Sequence, residues 1–210
     1  MLDDFELVIF DWDGTLMDST GRIVSAMQTT ARNLKLPIPT ASQVKAIIGL
    51  SLDECYQRLF PEVTDHDWIT QEYRYQYVEG DQTPSPLFTG VSDTLHSLKS
   101  RGYKLAVATG KARHGLDRVL LESGLTGLFD LTIASDESKS KPDPHMLVSL
   151  LKRSQCKTHQ AIMIGDTSYD LEMAQNANMA SIGVSFGAHS VDVLKQYNPK
   201  AIIDCFTELM

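Results

Sequence analysis

The sequence predicts an α/β protein in which a doubly wound parallel sheet carries an inserted α-helical segment. Three observations lead to this prediction. Short runs rich in Val and Ile recur and end in small or acidic residues, amphipathic stretches alternate with them, and one long early stretch has only helical periodicity. Alternating strands and helices are typical of parallel sheets covered by helices on both faces.

Six apolar runs predict the strands of this sheet. They are short for helices and apolar on both sides of the chain, as in strands buried on both faces. In order they are ELVIFD (6–11), KLAVATG (104–110), DLTIAS (130–135), AIMIGD (161–166), ASIGVS (180–185) and AIID (201–204).

Helices are predicted between the later strands. Apolar residues recur at helical spacing before Gly102 and before Gly124, where a glycine marks the helix end. A third such stretch follows Pro144, a residue suited to a first helical turn, and YDLEMAQNAN (169–178) predicts a helix with a smaller apolar face.

The alternation is interrupted between residues 18 and 84, where four amphipathic stretches predict helices. They lie near 23–34, 44–48, 52–59 and 68–77, and GDQTPSPLFTG (80–90) then returns the chain. We therefore predict a core domain from 1–17 and 85–210 and a helical domain from 18–84. Trp68 and Tyr73 are expected in the interior of the helical domain.

The composition excludes several classes of function. A formal net charge of -8 without a basic stripe argues against a nucleic-acid surface. No apolar run approaches membrane-spanning length, and the first ten residues are too short and acidic for a signal peptide. Three scattered cysteines indicate reduced thiols, so we expect a cytoplasmic protein without membrane partners.

Residues capable of chemistry follow four of the predicted strands. They are Asp11 and Asp13, Thr109 and Gly110, Lys139 and Lys141, and Asp166 and Asp170. Open parallel sheets bind ligands at the carboxyl ends of their strands, so these side chains are expected at one edge. Such a mixture of acids, a hydroxyl and a lysine can hold a divalent cation and an anion together.

The first pair of acids has a defined orientation if the first strand stays extended. Residues two apart then point to the same side, so Asp11 and Asp13 face one way and Trp12 the other. An EF-hand is excluded because its last ligand position is Arg22, and a Walker A loop is excluded because Leu105 replaces a required glycine.

Four motifs resemble those of the haloacid dehalogenase superfamily, in the same order. They are DWDGT (11–15), ATGK (108–111), SKPDP (140–144) and GDTSYD (165–170). The helical segment is similar to the C1-type cap of the phosphoglycolate phosphatase-like subfamily, whose continuation DGTLMDS (13–19) also matches. The resemblance covers nearly the whole chain.

The resemblance implies roles for the acids. Asp11 would be the nucleophile that forms an aspartyl-phosphate and also a metal ligand. Asp13 would protonate the leaving oxygen and then activate water, and its backbone carbonyl would bind the metal. Asp166 would bind Mg²⁺ directly, whereas Asp170 would act through water or orient its neighbours.

The remaining motif residues would bind the phosphoryl group. The Thr109 hydroxyl and the Gly110 amide would donate to its oxygens, and Lys141 would neutralise its charge. Lys139 is expected to be a solvated surface charge. Lys111 is expected to lie outside the phosphate-binding set.

The function implied is that of a Mg²⁺-dependent phosphatase for small phosphorylated metabolites such as phosphoglycolate-like phosphomonoesters. A pyrophosphatase or nucleotidase would share this machinery. A β-phosphoglucomutase is disfavoured because the cap loop IIGLSLDE (47–54), whose Gly49 and Ser51 resemble substrate-facing residues, has no basic side chain. A dehalogenase is less favoured, because it would not need the pattern of Asp13 and Asp166. A non-catalytic binding protein is least favoured, because the nucleophile and the metal-binding acid are both present.

Overall fold

The computed structural model describes residues 1–210 and contains one sheet of six parallel strands. The strands are β1 (Leu7–Phe10), β2 (Lys104–Ala108), β3 (Leu131–Ile133), β4 (Ala161–Gly165), β5 (Ala180–Val184) and β6 (Ala201–Ile203). Their order is β3-β2-β1-β4-β5-β6, which confirms the predicted doubly wound α/β architecture. The apolar runs predicted from the sequence are a little longer than the strands, because the polar residues at their ends do not take part in the hydrogen bonding of the sheet.

The segment after β1 consists of four helices. They are α1 (Thr20–Asn33), α2 (Ala41–Lys45), α3 (Leu52–Leu59) and α4 (Asp67–Tyr75), which continues as a π-helical turn over Gln76–Gly80. The Thr40 hydroxyl accepts a hydrogen bond from the Gln43 amide at 3.2 Å, which caps the first turn of α2. These helices share an apolar cluster of 14 buried residues, all lying between Ile23 and Tyr77.

Trp68 is not part of this cluster, contrary to the sequence-based expectation. Ile69, Tyr73 and Tyr77 recur every four residues and form the buried face. Trp68 lies beside that face and is 38% exposed.

Five helices accompany the later strands. They are α5 (Val91–Ser100), α6 (Arg113–Glu122), α7 (His145–Ser154), α8 (Ser168–Asn176) and the short α9 (Val191–Lys195), which the sequence did not reveal. Side chains of β1 alternate between two apolar clusters: Val8 and Phe10 pack in the cluster of α5 and α6, and Leu7 and Ile9 in that of α7 and α8. The sheet is therefore buried on both faces.

Trp12 follows the alternation of the strand beyond its last ladder residue. It joins the cluster of Val8 and Phe10, is fully buried, and contacts Phe129 with ring centroids 6.3 Å apart. It anchors the chain directly beside Asp11. No helix of the chain is both long and apolar enough to span a lipid bilayer.

Candidate active site

The order of the strands reverses between β1 and β4, and the two acids that follow these strands lie at that point. Asp11 directly follows β1, and its amide donates a hydrogen bond to the Ile164 carbonyl of β4 at 3.0 Å. Asp166 directly follows β4. Loops diverge at such a reversal and leave a crevice at the carboxyl ends of the strands, which is where ligands of these folds bind.

Three carboxylates meet in this crevice around one lysine. Asp11, Asp166 and Asp170 are buried and each contributes an oxygen, all within 4.8 Å of one another. The fully buried Lys141 places its Nζ 2.8 Å from Asp11 Oδ1 and 2.6 Å from Asp170 Oδ1. One positive charge therefore faces three carboxyl groups.

This imbalance affects the protonation of the acids. Burial raises the pKa of Asp11 well above its usual range, Lys141 opposes the rise, and Asp170 and Asp166 add to it. Burial and then the charge of Asp170 raise the pKa of Asp166 to about 7. Burial alone would lower the pKa of Lys141, but Asp11 and Asp170 outweigh it and raise that pKa. The cluster thus has a deficit of positive charge.

The donor set fits a divalent cation. Asp11 is buried, its Oδ1 lies 2.8 Å from Lys141 Nζ, and its Oδ2 has no hydrogen-bond partner. Asp166 accepts one hydrogen bond at each oxygen, from the Thr15 hydroxyl and the Ala188 amide, both at 2.8 Å. Each of these oxygens keeps a lone pair, and hard cations such as Mg²⁺ prefer carboxylate ligands of this kind.

Asp170 is more fully engaged than the other two acids. Its Oδ2 accepts hydrogen bonds from the Thr167 hydroxyl at 2.6 Å and the Thr167 amide at 3.1 Å, and its Oδ1 accepts one from Lys141. These contacts hold Lys141 against Asp11. Asp170 therefore orients the lysine, whichever groups bind the cation.

Gly14 allows the first and last motifs to approach each other. Its φ of +81° lies in the left-handed region, and a Cβ at this position would collide with the Asp166 carboxylate. Any other residue would be strained and would push Asp166 away from Asp11. The turn after Asp13 thus requires glycine for two separate reasons.

Asp13 points away from the buried acids. Its Oδ1 accepts a hydrogen bond from the Ser19 hydroxyl at 2.7 Å, and its Oδ2 lies 3.0 Å from Lys111 Nζ. The Lys111 side chain is only 12% exposed; burial lowers its pKa, but Asp13 outweighs burial and the pKa is raised. The sequence assigned no role to Lys111, although its position directly after Gly110 was a usable signal. Lys139, by contrast, is 71% exposed, as expected.

A cavity opens in front of these residues, between the sheet edge and the helical segment. Asp11, Asp13, Thr109 and Gly110 line it, and it encloses about 830 Å³ of space free of atoms, including its open mouth. The Thr109 hydroxyl accepts a hydrogen bond from the Lys111 amide at 3.2 Å, so its proton is free for a ligand. The structure thus brings together four predicted residues that line the cavity, while Lys141, Asp166 and Asp170 do not line it.

The helical segment closes the cavity through backbone contacts with the core. A Cβ on Gly110 would lie 2.5 Å from the Gly49 carbonyl oxygen and 2.6 Å from that of Leu50. The Ser51 amide donates a hydrogen bond to the Ser140 hydroxyl at 3.0 Å. Gly49 and Ser51 therefore contact the core loops that carry Gly110 and Lys141.

Comparison with known proteins places this arrangement in a family. The profile of the haloacid dehalogenase-like hydrolases matches residues 8–184. The chain is 38% identical over 210 residues to the "Probable phosphatase IndB" of Dickeya dadantii (strain 3937), covering 97% of this chain and 91% of that protein. It is 31% identical over 221 residues to a phosphoglycolate phosphatase of Psychrobacter arcticus, covering 99% and 95%.

A solved structure supports the same assignment. A predicted phosphoglycolate phosphatase from Haemophilus somnus superposes with a TM-score of 0.89 at 25% identity, covering 100% of this chain and 98% of that one. The chain belongs to the haloacid dehalogenase-like hydrolases. Within them it is a phosphatase, similar to proteins named phosphoglycolate phosphatase.

Proposed function

We propose that the protein is a Mg²⁺-dependent phosphatase that hydrolyses small phosphomonoesters, a class that includes phosphoglycolate, through an aspartyl-phosphate on Asp11. The observation that carries this proposal is the buried Asp11 carboxylate, which lines the cavity with its Oδ1 paired to Lys141 and its Oδ2 without a hydrogen-bond partner. Residues 18–84 act as the cap over this site, and 1–17 with 85–210 form the catalytic core.

The first step transfers the phosphoryl group to the protein. A carboxylate oxygen of Asp11 attacks phosphorus, the bond from phosphorus to the ester oxygen breaks, and the leaving oxygen takes a proton from Asp13. Thr109 donates its hydroxyl proton and Gly110 its amide proton to the phosphoryl oxygens. Lys141 balances part of their charge from behind Asp11.

The second step releases phosphate. Asp13, now a carboxylate, takes a proton from water as the water attacks phosphorus, and the bond between phosphorus and Asp11 breaks. Ser19 and Lys111 hold both oxygens of Asp13, which keeps it at the cavity wall for both proton transfers. The cap excludes bulk water while the phosphoenzyme exists.

Asp11 and Asp166, with the backbone carbonyl of Asp13, would hold the metal. Bound Mg²⁺ would stabilise the ionised forms of the two carboxylates and neutralise charge on the phosphoryl oxygens. Asp170 contributes indirectly, because its Oδ1 accepts a hydrogen bond from Lys141 and its Oδ2 accepts one from Thr167. The high pKa values of Asp11 and Asp166 in the metal-free cluster favour this assignment.

The test is phosphate release from p-nitrophenyl phosphate with and without Mg²⁺. Wild-type protein should release phosphate only with the metal, Asp11→Asn should release none, and the exposed control Asp4→Asn should match wild type. Mass spectrometry of acid-quenched wild type should locate a phosphoryl group on the peptide that contains Asp11. Full release by Asp11→Asn would rule out the covalent mechanism, and no release by wild type would rule out the proposed activity.

A further inference from the structure

The cavity in front of Asp11 has two walls of different chemistry. The cap contributes a mainly apolar wall that also carries the cation of Arg74; its apolar side chains include Ile23, Met27, Ile48, Leu52, Tyr73 and Tyr77. The core contributes a basic wall from the start of α6, consisting of Lys111, His114 and Arg118. The leaving group of the substrate must lie between these walls, because the phosphoryl group occupies the end at Asp11 and Thr109.

The apolar wall is poorly suited to a two-carbon acid. Glycolate, the two-carbon leaving group of phosphoglycolate, is too small and polar to cover this wall. With glycolate bound, Met27, Ile48 and Tyr73 would stay in contact with water. An apolar ring would cover them, and burial of apolar surface is the main source of affinity in such pockets.

Tyr77 indicates that the ring of the leaving group carries a hydrogen-bond acceptor on its edge. The tyrosine is 6% exposed, it lines the cavity, and its hydroxyl has no hydrogen-bond partner. A buried hydroxyl without a partner is costly, so a ligand atom that accepts its proton would be favoured. Lys111 and Arg118 lie 4.8 Å and 5.7 Å from the centre of the Tyr77 ring, and both add further donors on this side.

We propose that the preferred substrates are phosphomonoesters whose leaving group carries a planar aromatic or heteroaromatic ring with a hydrogen-bond acceptor on its edge. The proposal rests on the proposed phosphatase function and narrows its substrate class. The ring lies against the apolar cap wall, and its acceptor receives the proton of Tyr77. Phosphoglycolate is then a poor substrate in comparison.

A matched series of esters tests the ring and the acceptor separately. Ethyl, benzyl and 4-pyridylmethyl phosphate have similar primary leaving oxygens and differ in the group beyond them. With Mg²⁺, kcat/KM should be about 10-fold or more higher for the benzyl than for the ethyl ester, and higher again for the pyridylmethyl ester. Higher kcat/KM for 2-phosphoglycolate than for the benzyl ester would overturn the proposal.

The Tyr77→Phe variant isolates the hydroxyl. It should lose the preference for pyridylmethyl over benzyl phosphate while keeping the preference for benzyl over ethyl phosphate, with an unchanged Tm. Tyr75→Phe is the matched control, because Tyr75 is 53% exposed and does not line the cavity. An unchanged pyridylmethyl preference in Tyr77→Phe would contradict the role of the hydroxyl.

Binding of phosphonates, which the enzyme cannot hydrolyse as esters, tests the preference for a ring independently of the proposed phosphatase activity. Calorimetry with Mg²⁺ should show benzylphosphonate binding about 10-fold or more tightly than ethylphosphonate. Equal affinities would overturn the ring proposal even if all the esters are hydrolysed. Tighter binding of benzylphosphonate without hydrolysis of any ester would support the ring pocket and refute the phosphatase function.

Discussion

Replacement of Gly110 by alanine tests how the cap sits on the core. Gly110 has no left-handed backbone angle that an alanine would strain, so the added methyl group itself is the perturbation. Its Cβ would lie 2.5 Å from the Gly49 carbonyl oxygen and 2.6 Å from that of Leu50. Both neighbours are backbone atoms of the cap loop and cannot rotate away as a side chain would.

The size of the effect follows from these distances. To restore an ordinary contact of 3.4 Å the cap loop must move by about 0.9 Å from the core. A displacement near 1 Å in an active site can cost about 100-fold in rate, so kcat/KM should fall by about 100-fold. The free energy of unfolding should fall by about 1–3 kcal/mol, as for other overpacked sites. The Gly110 amide remains available to the phosphoryl group.

The assay is phosphate release with Mg²⁺ together with thermal unfolding. Gly21→Ala is the matched control: its Cβ would lie 3.6 Å from Thr83 Cγ2, an ordinary contact, and alanine is favoured over glycine in helix α1 by about 1 kcal/mol. The control should keep full activity and a Tm no lower than wild type. A folded Gly110→Ala protein with kcat/KM within about twofold of wild type would refute the argument from cap displacement.

Three further predictions concern charge and thiols. Lys141→Met leaves buried carboxylates without their counter-charge and should cost about 3–5 kcal/mol in urea unfolding without metal. Native protein should react with one equivalent of a thiol reagent at Cys205, the exposed cysteine, because Cys55 and Cys156 are buried and burial raises the pKa of Cys55 to about 12. Burial would raise the pKa of Asp130, but Lys99 and the Leu105 amide together outweigh it and lower that pKa. The ionised form of Asp130 therefore stabilises the protein above about pH 4, and this stability is lost at lower pH.

Each of these predictions has a clear contrary result. An unchanged urea midpoint in Lys141→Met would show that the charge of this lysine is dispensable for folding. Reaction of native Cys205→Ser with the thiol reagent would show that a buried cysteine is accessible. For Asp130→Asn, the Tm deficit relative to wild type should shrink as pH falls below about 4, and a growing deficit would contradict the lowered pKa.

The six strands were predictable because each is apolar on both faces. A strand such as β1 has to place Val8 and Phe10 in one cluster and Leu7 and Ile9 in the other, and only a sheet covered by helices on both sides satisfies this. The short helix α9 escaped prediction because its five residues bury only Leu194, too few for a periodic pattern. Trp68 was misplaced because hydrophobicity alone does not specify which face of a helix is covered.

The candidate site was predictable where residues follow strands directly. Asp11 and Asp166 end neighbouring parallel strands, so strand order alone brings them together. The pairing of Lys111 with Asp13 was not predictable, since a lysine side chain is long and flexible enough to reach several partners. Its actual partner depends on how the loop after β2 packs beside the loop after β1.

Periodicity and strand ends are local properties of the chain, so they were enough to predict the parallel sheet, the inserted helices and the carboxylates at one edge of the sheet. The hydrogen bond between Asp170 and Lys141, the close approach of Gly110 to Gly49, and the burial of the Tyr77 hydroxyl without a partner could be seen only in the folded chain. The reason is physical: these contacts join residues distant in sequence, and their geometry depends on how the helical segment and the core pack together.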